Sequence, residues 1–352
     1  MRVVVAMSGG VDSSTVAGLL AEAGHEVIGV TLQLYDHGAA TGRKGACCAG
    51  QDIHDARRVA DTLGIPHYVI DAEARFRAAV MADFADSYAR GETPVPCVRC
   101  NQSVKFTDLM ALAVDLGAER LATGHYVRRV DGPDGAELHR AADPARDQSW
   151  FLFATTQAQL DRTLFPLGDM ADKSQVRAQA ARLGLAVAAK PDSQDICFVP
   201  TGSYADMVGK LRPDAVAPGE IVDQSGTVVG QHDGVARFTV GQAKRLGNAA
   251  QHGIERRVVV ALDAGRRRVV VGPADGGSAL VRLREVNWLA RPGRYRCMVK
   301  LRAREAPHGA EIVATEDGAA VTLDTPMRAA PGQACVFYDG ERVLGGGFIR
   351  AA

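Results

Sequence analysis

Residues 2–20 read RVVVAMSGGVDSSTVAGLL, and this stretch decides the fold. The apolar run Val3-Val4-Val5-Ala6-Met7 predicts a short buried strand. It breaks at Ser8-Gly9-Gly10, and a helix is predicted from about Asp12-Ser13-Ser14, continued by Val16, Ala17, Leu19 and Leu20. A strand, a glycine turn and a helix N-terminus together make an anion site. The glycines let the backbone approach closely, the first N–H groups point outward, and the helix dipole favours negative charge. Ser8, Ser13 and Ser14 can add hydroxyl donors, and Asp12 is placed to hold a magnesium ion beside a polyphosphate.

No Lys-Ser/Thr pair follows the glycines, so this is not a Walker loop, and no G-x-G-x-x-G is present in it. SGGVDSS resembles the pyrophosphate-binding loop of the ATP pyrophosphatase superfamily, whose members transfer AMP to a substrate and release pyrophosphate. As bare spacing, it also suits an ordinary strand-to-helix turn.

Outward from the loop, residues 1 to about 200 alternate strands with helices. Strands are predicted at 25–32, 67–70 and 117–124, and helices at 51–63, 76–90 and 104–116. A polar, glycine-containing stretch separates 36 from 50. Such alternation predicts an α/β fold with a doubly wound parallel sheet. Its ligands bind at the carboxyl ends of the strands, where Ser8–Ser13, Leu32 and Gly124-His125 converge. Beyond about 205 the chain changes to short β-like runs between glycine turns, at 219–222, 227–230 and 237–240, with a hairpin across 256–272. Six further runs between 280 and 349 predict a small barrel. The expected organisation is therefore a nucleotide domain over 1–204, a small central β-rich domain over 205–276 and a C-terminal β-barrel over 277–352.

At 352 residues, 47% hydrophobic and 23% charged, the chain can bury these cores without disulfides. Its zero net charge hides an asymmetry. Residues 240–352 carry 18 Lys/Arg against 11 Asp/Glu, a balance of +7, and the other 23 and 30 leave residues 1–239 at −7. A basic C-terminal third suits a polyanionic partner such as RNA. Arg282, Arg284, Arg291, Arg294, Arg296, Lys300, Arg302 and Arg304 are placed to track phosphates, or to form an ordinary solvated barrel surface. No stretch of 18 apolar residues is present, so no membrane span is expected. The first strand is too short for a secretory signal. Seven cysteines in such a chain read as thiols of a reducing compartment, and the cytosol is the expectation.

Three readings compete for the cysteines. Cys97 and Cys100 in TPVPCVRCNQ, at the entry to a helix beside Arg99 and Lys105, suit a reactive thiol of lowered pKa. A C-x-x-C pair is also half of a zinc site, although no second pair follows at ligand spacing. Buried cysteines are, third, often passive apolar residues. Cys197, in KPDSQDICFVP, faces the same alternatives; Cys297 and Cys335 lie in β-like runs and are expected in a core. Adjacency gives Cys47 and Cys48 no firm role.

The set of motifs closely resembles the bacterial tRNA-specific 2-thiouridylases, which thiolate the wobble uridine of certain tRNAs. The likeness rests on SGGVDSS at 8–14, TPVPCVRCNQSVKF at 93–106, ATGHY at 122–126, RDQSWFL at 146–152, FPLG at 165–168, KPDSQDICFVP at 190–200, GQHDGVARFTVGQAKRLG at 230–247 and PGQACVFYDGERVLGGG at 331–347. The resemblance implies that Ala6, Met7, Ser8, Gly9, Gly10, Val11, Asp12, Ser13, Leu32 and Gly124 contact ATP. It implies that Cys100 is the nucleophile and Cys197 the persulfide carrier, the two forming a disulfide in some states. His125, Arg146, Asp147, Gln148, Arg302 and Gln333 fall where the family touches tRNA. It further implies ATP and Mg²⁺ as cofactors and a persulfide-donating relay protein as partner; a monomer is expected. Cys97 stands where some members carry an acidic residue, and 301–305 lacks an aromatic residue often found beside the arginine.

The chemistry suits these residues. Adenylation turns the uridine C2 oxygen into a good leaving group, and a persulfide supplies sulfur. The target base must leave its stack, and His125 and Trp150 are candidates along its path or packed structural residues. An amide-forming ligase of the same superfamily would need neither Cys100 nor Cys197. A non-catalytic RNA-binding protein that senses ATP would release no pyrophosphate, and a zinc-stabilised RNA-binding module would carry metal.

Overall fold

The computed structural model describes residues 1–35, 48–192, 196–199, 204–252 and 255–351. Cys47 lies outside them. The chain divides into two compact units: Met1–Ala79 with Val98–Gln194 and Glu341–Val343, and Val80–Cys97 with Asp195–Gly340 and Leu344–Ala352.

In the first unit, β1 (Arg2–Ala6) leads into α1 (Val11–Glu22), followed by β2 (Glu26–Gln33), α2 (Cys48–Leu63) and β3 (His67–Asp71). Later come α3 (Phe106–Asp115), β4 (Arg120–Ala122), the hairpin β5 (Val127–Gly132) and β6 (Gly135–Arg140), β7 (Thr163–Leu164) and α4 (Lys173–Arg182). The sheet runs β3-β2-β1-β4-β7 with every pairing parallel. The central strand is apolar on both faces because both are covered: Val3, Val4 and Val5 are fully buried. Val3, Val5 and Met7 pack with Val11, Val16 and Leu20 of α1 and with Val176 and Ala180 of α4. This is the expected doubly wound α/β architecture.

Three local differences have physical causes. The helix expected over 76–90 is three pieces, Glu73–Phe76, a π turn at Arg77–Met81 and Ala82–Ala89. The helix expected from 104 begins earlier, at Pro96, where a missing N–H costs nothing, and passes through a second π turn at Asn101–Lys105 before α3. The β5–β6 hairpin, turned by Asp-Gly-Pro-Asp-Gly at 131–135, has no counterpart in the sequence reading.

The second unit holds two β structures. One sheet runs β10 (Gln251–His252), β11 (Glu255–Asp263), β12 (Arg268–Pro273), β8 (Gly219–Asp223), β9 (Val228–His232). The run at 237–240 is not a strand in it. A 3-10 turn at Val235–Arg237 leads into it, and Phe238 and Val240 are simply buried in this core. The other structure is an antiparallel barrel of β13 (Ser278–Trp288), β14 (Arg294–Lys300), β15 (His308–Thr315), β16 (Gly318–Met327), β17 (Ala334–Asp339) and β18 (Arg342–Ile349). Its order is β13-β16-β15-β14-β17-β18, closed by β13 on β18. All six expected runs are strands, and Cys297 and Cys335 are buried among them. Burial pushes the Cys297 thiol up to about 11, which keeps it protonated and inert.

No described helix is long and apolar enough to cross a membrane.

Candidate functional site

The turn after β1 is built for an anion. Gly9 sits at φ +73, and a Cβ there would fall 2.1 Å from the Asp52 carbonyl oxygen. Gly10 caps α1 in extended conformation without any side-chain hydrogen bond, so the first N–H groups of the helix meet no capping side chain. The Ser8 N–H donates to Ser13 Oγ at 3.0 Å, and the two hydroxyls lie 3.2 Å apart. Ser14 differs from expectation. Its buried hydroxyl donates to the Gly10 carbonyl at 2.8 Å and serves the helix rather than a ligand.

Beside the turn lies a cavity of about 230 Å³. Ser8, Asp12 and Ser13 form its polar side, and Leu32, Leu34 and Leu109 part of its apolar wall. Ala6, Met7, Gly124, His125 and Gln148 also line it, so sequence-distant candidates meet here, while Gly9, Gly10 and Val11 are not among its lining residues. Gly124 brings the end of β4 against α1, since a Cβ there would lie 2.8 Å from the Ser13 nitrogen. A wall of aliphatic side chains with one polar, donor-rich end suits a flat heterocycle carrying phosphates.

His125 Nδ1 and Thr123 Oγ1 are 2.9 Å apart, and the imidazole stacks on Phe106 at 6.2 Å and 22°. Burial, helped by Lys105, pushes this imidazole down to about 3. The folded value lies below the unfolded one of about 6.5, so the unfolded chain takes up the proton first as pH falls. Stability should therefore drop from about pH 6.5 toward 3. His125→Leu should flatten that acid slope in urea midpoints; an unchanged slope counts against a neutral imidazole at this position. Burial lowers His67 and His232 too, and they add to the slope, as do the paired carboxylates Asp55, Glu92 and Asp192, whose pKa values are held low.

Two lysines that sequence reading missed hold the turn. Lys190 Nζ donates to the Gly9 carbonyl at 3.0 Å and pairs with Asp52 Oδ1 at 2.7 Å and Asp55 Oδ2 at 2.6 Å. Burial opposes its charge, but the two carboxylates outweigh burial and raise its pKa. If this turn receives the phosphates of a nucleotide, Lys190→Met should raise the KM for that nucleotide by about tenfold, the equivalent of one charged hydrogen bond. Steady-state kinetics checks this, and an unchanged KM would remove Lys190 from the loop's support. Lys173 Nζ lies 2.6 and 2.7 Å from the two oxygens of Asp12 and 2.9 Å from Asp192 Oδ1. The Tyr126 hydroxyl donates to Asp12 Oδ1 at 2.6 Å. Asp192 receives Arg146 at 2.8 Å and Arg177 at 3.5 Å; burial raises its pKa, and Lys173 and Arg146 together hold it below the usual value. Asp12, expected to hold magnesium, thus has an ammonium across both oxygens. No group of three His, Cys, Asp or Glu gathers elsewhere among the described residues. This donor set does not fit a resident magnesium ion.

Cys97, Cys100 and Cys197 are all thiols in this structure, so the expected Cys100–Cys197 disulfide is absent from it. Cys100 is buried at the end of the Pro96–Cys100 turn, while Cys97 and Cys197 are exposed. Cys48 opens α2.

Family models cover almost all of the chain: the tRNA methyl transferase HUP domain over residues 1–201, the tRNA methyl transferase PRC-barrel domain over 206–273, and the aminomethyltransferase beta-barrel domain over 278–349. The chain is 71% identical to the tRNA-specific 2-thiouridylase MnmA of Acidiphilium cryptum, over 99% of this chain and 100% of that one. The chain belongs to the tRNA-specific 2-thiouridylase family. Another relative, the tRNA-specific 2-thiouridylase MnmA of Gluconobacter oxydans, is 63% identical over 100% of this chain and 99% of its own.

For a thiouridylase family member, the residues expected to meet tRNA are unequally available. Arg302 is exposed just beyond β14, its N–H bonded to Glu305 Oε1 at 3.0 Å. Gln333 donates its amide to the Thr93 carbonyl at 3.1 Å. Asp147 accepts from Ser149 and Ala141 and braces its own turn, whereas Gln148 Oε1 accepts from the Tyr126 N–H at 2.9 Å and ties that turn to the chain after β4. Trp150 is 2% exposed and packs at 5.1 Å on Phe151, a structural residue rather than a platform for a base. Among the barrel arginines, Arg284 donates two parallel hydrogen bonds to the Glu92 carboxylate, Arg296 two to that of Asp324, and Arg294 pairs with Glu311. Arg282, Arg302 and Arg304 are exposed with no ion pair among the described residues.

Proposed function

We propose that this protein is a tRNA-uridine 2-sulfurtransferase, using ATP to adenylate the C2 oxygen of the wobble uridine and a cysteine persulfide to replace it with sulfur. The observation that carries the reading is the uncapped N-terminus of α1 opening, through Ser8 and Ser13, on a cavity with an apolar wall. In this reading Ala6–Ser13, Leu32 and Gly124 form the ATP site. The α1 N–H groups and the serine hydroxyls receive the phosphates and stabilise charge as pyrophosphate departs. Any Mg²⁺ requirement would be met by the counter-ion of ATP rather than by a ligand set among the described residues of this chain. His125, Arg146, Asp147, Gln148, Arg302 and Gln333 belong to the tRNA surface, and residues 1–204, 205–276 and 277–352 act as the nucleotide, central and barrel domains.

Sulfur reaches Cys197 as a persulfide from a relay protein. The terminal sulfur attacks C2 and AMP leaves, giving a disulfide between the uridine sulfur and Cys197 Sγ. Cys100 thiolate then attacks Cys197 Sγ, expelling the 2-thiouridine and leaving a Cys100–Cys197 disulfide, which a dithiol reductant returns to two thiols. In the alternative route, Cys100 attacks the persulfide first and hydrosulfide is the nucleophile. The protein acts as a cytoplasmic monomer.

Methyl transfer, the activity in the names of two matching models, is the competing reading. ATP and unmodified tRNA decide between them. Pyrophosphate release that depends on both supports adenylation, and none with folded protein overturns it.

A further inference from the structure

Lys173 stands against a local rule. It is the first residue of α4, after Asp172, whose carboxylate accepts the Gln175 N–H at 3.0 Å as the helix cap. The positive end of a helix dipole disfavours a cation there. The side chain is 11% exposed, bridges Asp12 and Asp192, and its Nζ lies 5.6 Å from the Tyr126 ring centroid. Asp12 lines the cavity, whereas Lys173 is not among its walls. The ammonium spans both Asp12 oxygens, one of which also accepts the Tyr126 hydroxyl, so the carboxylate is already occupied by partners of this chain. Together with Arg146 and Arg177, three cations surround two carboxylates beside the phosphate-binding turn.

We propose that Lys173 is a positioning residue for nucleotide binding: it neutralises and anchors Asp12, so that this carboxylate braces the turn instead of ligating a metal. The inference rests on the ATP reading above. Without Lys173, an uncompensated carboxylate faces the triphosphate, and like charges a few ångströms apart in a partly dry site repel strongly. Tyr126 and Lys173 then fix Asp12 as a strut between α1 and α4, and the helix N–H groups are left to take the phosphate charge.

The test is a double-mutant cycle on full-length protein, titrated with ATP in the presence of magnesium and again in EDTA. Lys173→Met should weaken ATP binding by about tenfold or more in both. Asp12→Asn/Lys173→Met, which removes both charges, should return to within about threefold of wild type, near the scatter of additive sites. Circular dichroism of both variants checks their fold, and the double variant keeps the test valid where the single one unfolds. Additive losses overturn the proposal. So does a loss in Asp12→Asn seen only with magnesium, which makes Asp12 a metal ligand. Wild-type protein that binds no ATP overturns the functional reading together with this inference, whereas wild-type binding with an intact Lys173→Met overturns this inference alone.

Discussion

Without added thiol, Cys197→Ser and Cys100→Ser should each abolish release of 2-thiouridine, by roughly 10⁴-fold or more, as loss of a covalent nucleophile does. Serine cannot carry a persulfide, so Cys197→Ser should still bind ATP and tRNA and release pyrophosphate, with no sulfur transferred. Cys100→Ser separates the two sulfur routes. With direct attack by the persulfide, the uridine sulfur stays joined to Cys197 and a protein–tRNA adduct accumulates, released by added thiol. With hydrosulfide as nucleophile no adduct forms, and the Cys197 persulfide persists. Gel shift under non-reducing conditions reads both. Full activity in either variant would place the chemistry elsewhere.

Gly9→Ala should remove ATP binding by about two orders of magnitude, the second large effect. Positive φ alone costs an alanine about 1–2 kcal/mol. The added methyl also collides with the Asp52 carbonyl oxygen at 2.1 Å, a backbone atom that cannot swing aside. The turn must shift, which moves the Gly9 carbonyl off Lys190 and the α1 N–H groups off the phosphates. Gly24→Ala is the control. Gly24 has φ +77 but nothing within 4 Å of its Cβ position, so it bears only the conformational cost and keeps its ATP affinity. Calorimetric titration of both variants checks the difference; equal losses would mean strain in the chain rather than the turn's geometry.

Local chemistry made the main elements legible. The apolar run, two glycines and a helical repeat at 2–20 predict β1, the turn and α1 within a residue or two. Alternating runs between glycine turns predict all six barrel strands and the β11–β12 hairpin. Legibility failed where pairing is long-range. Lys173 and Tyr126 reach Asp12 across 161 and 114 residues, and Lys190 reaches Gly9 across 181. One signal was present: a lysine directly after an Asp cap, at the end of a helix that disfavours it, asks for carboxylates from elsewhere. The barrel arginines failed in the opposite direction. Counted as free charge, Arg284, Arg294 and Arg296 are instead joined to Glu92, Glu311 and Asp324, because neighbouring strands and loops present acids that a charge tally cannot place.

The central claim is tested most directly by mass analysis of nucleosides from unmodified tRNA incubated with this protein, ATP, magnesium and a persulfide or sulfide donor. The account predicts an oxygen-to-sulfur mass gain on the wobble uridine that requires ATP. A methyl gain, or no change alongside active donor and folded protein, would contradict it.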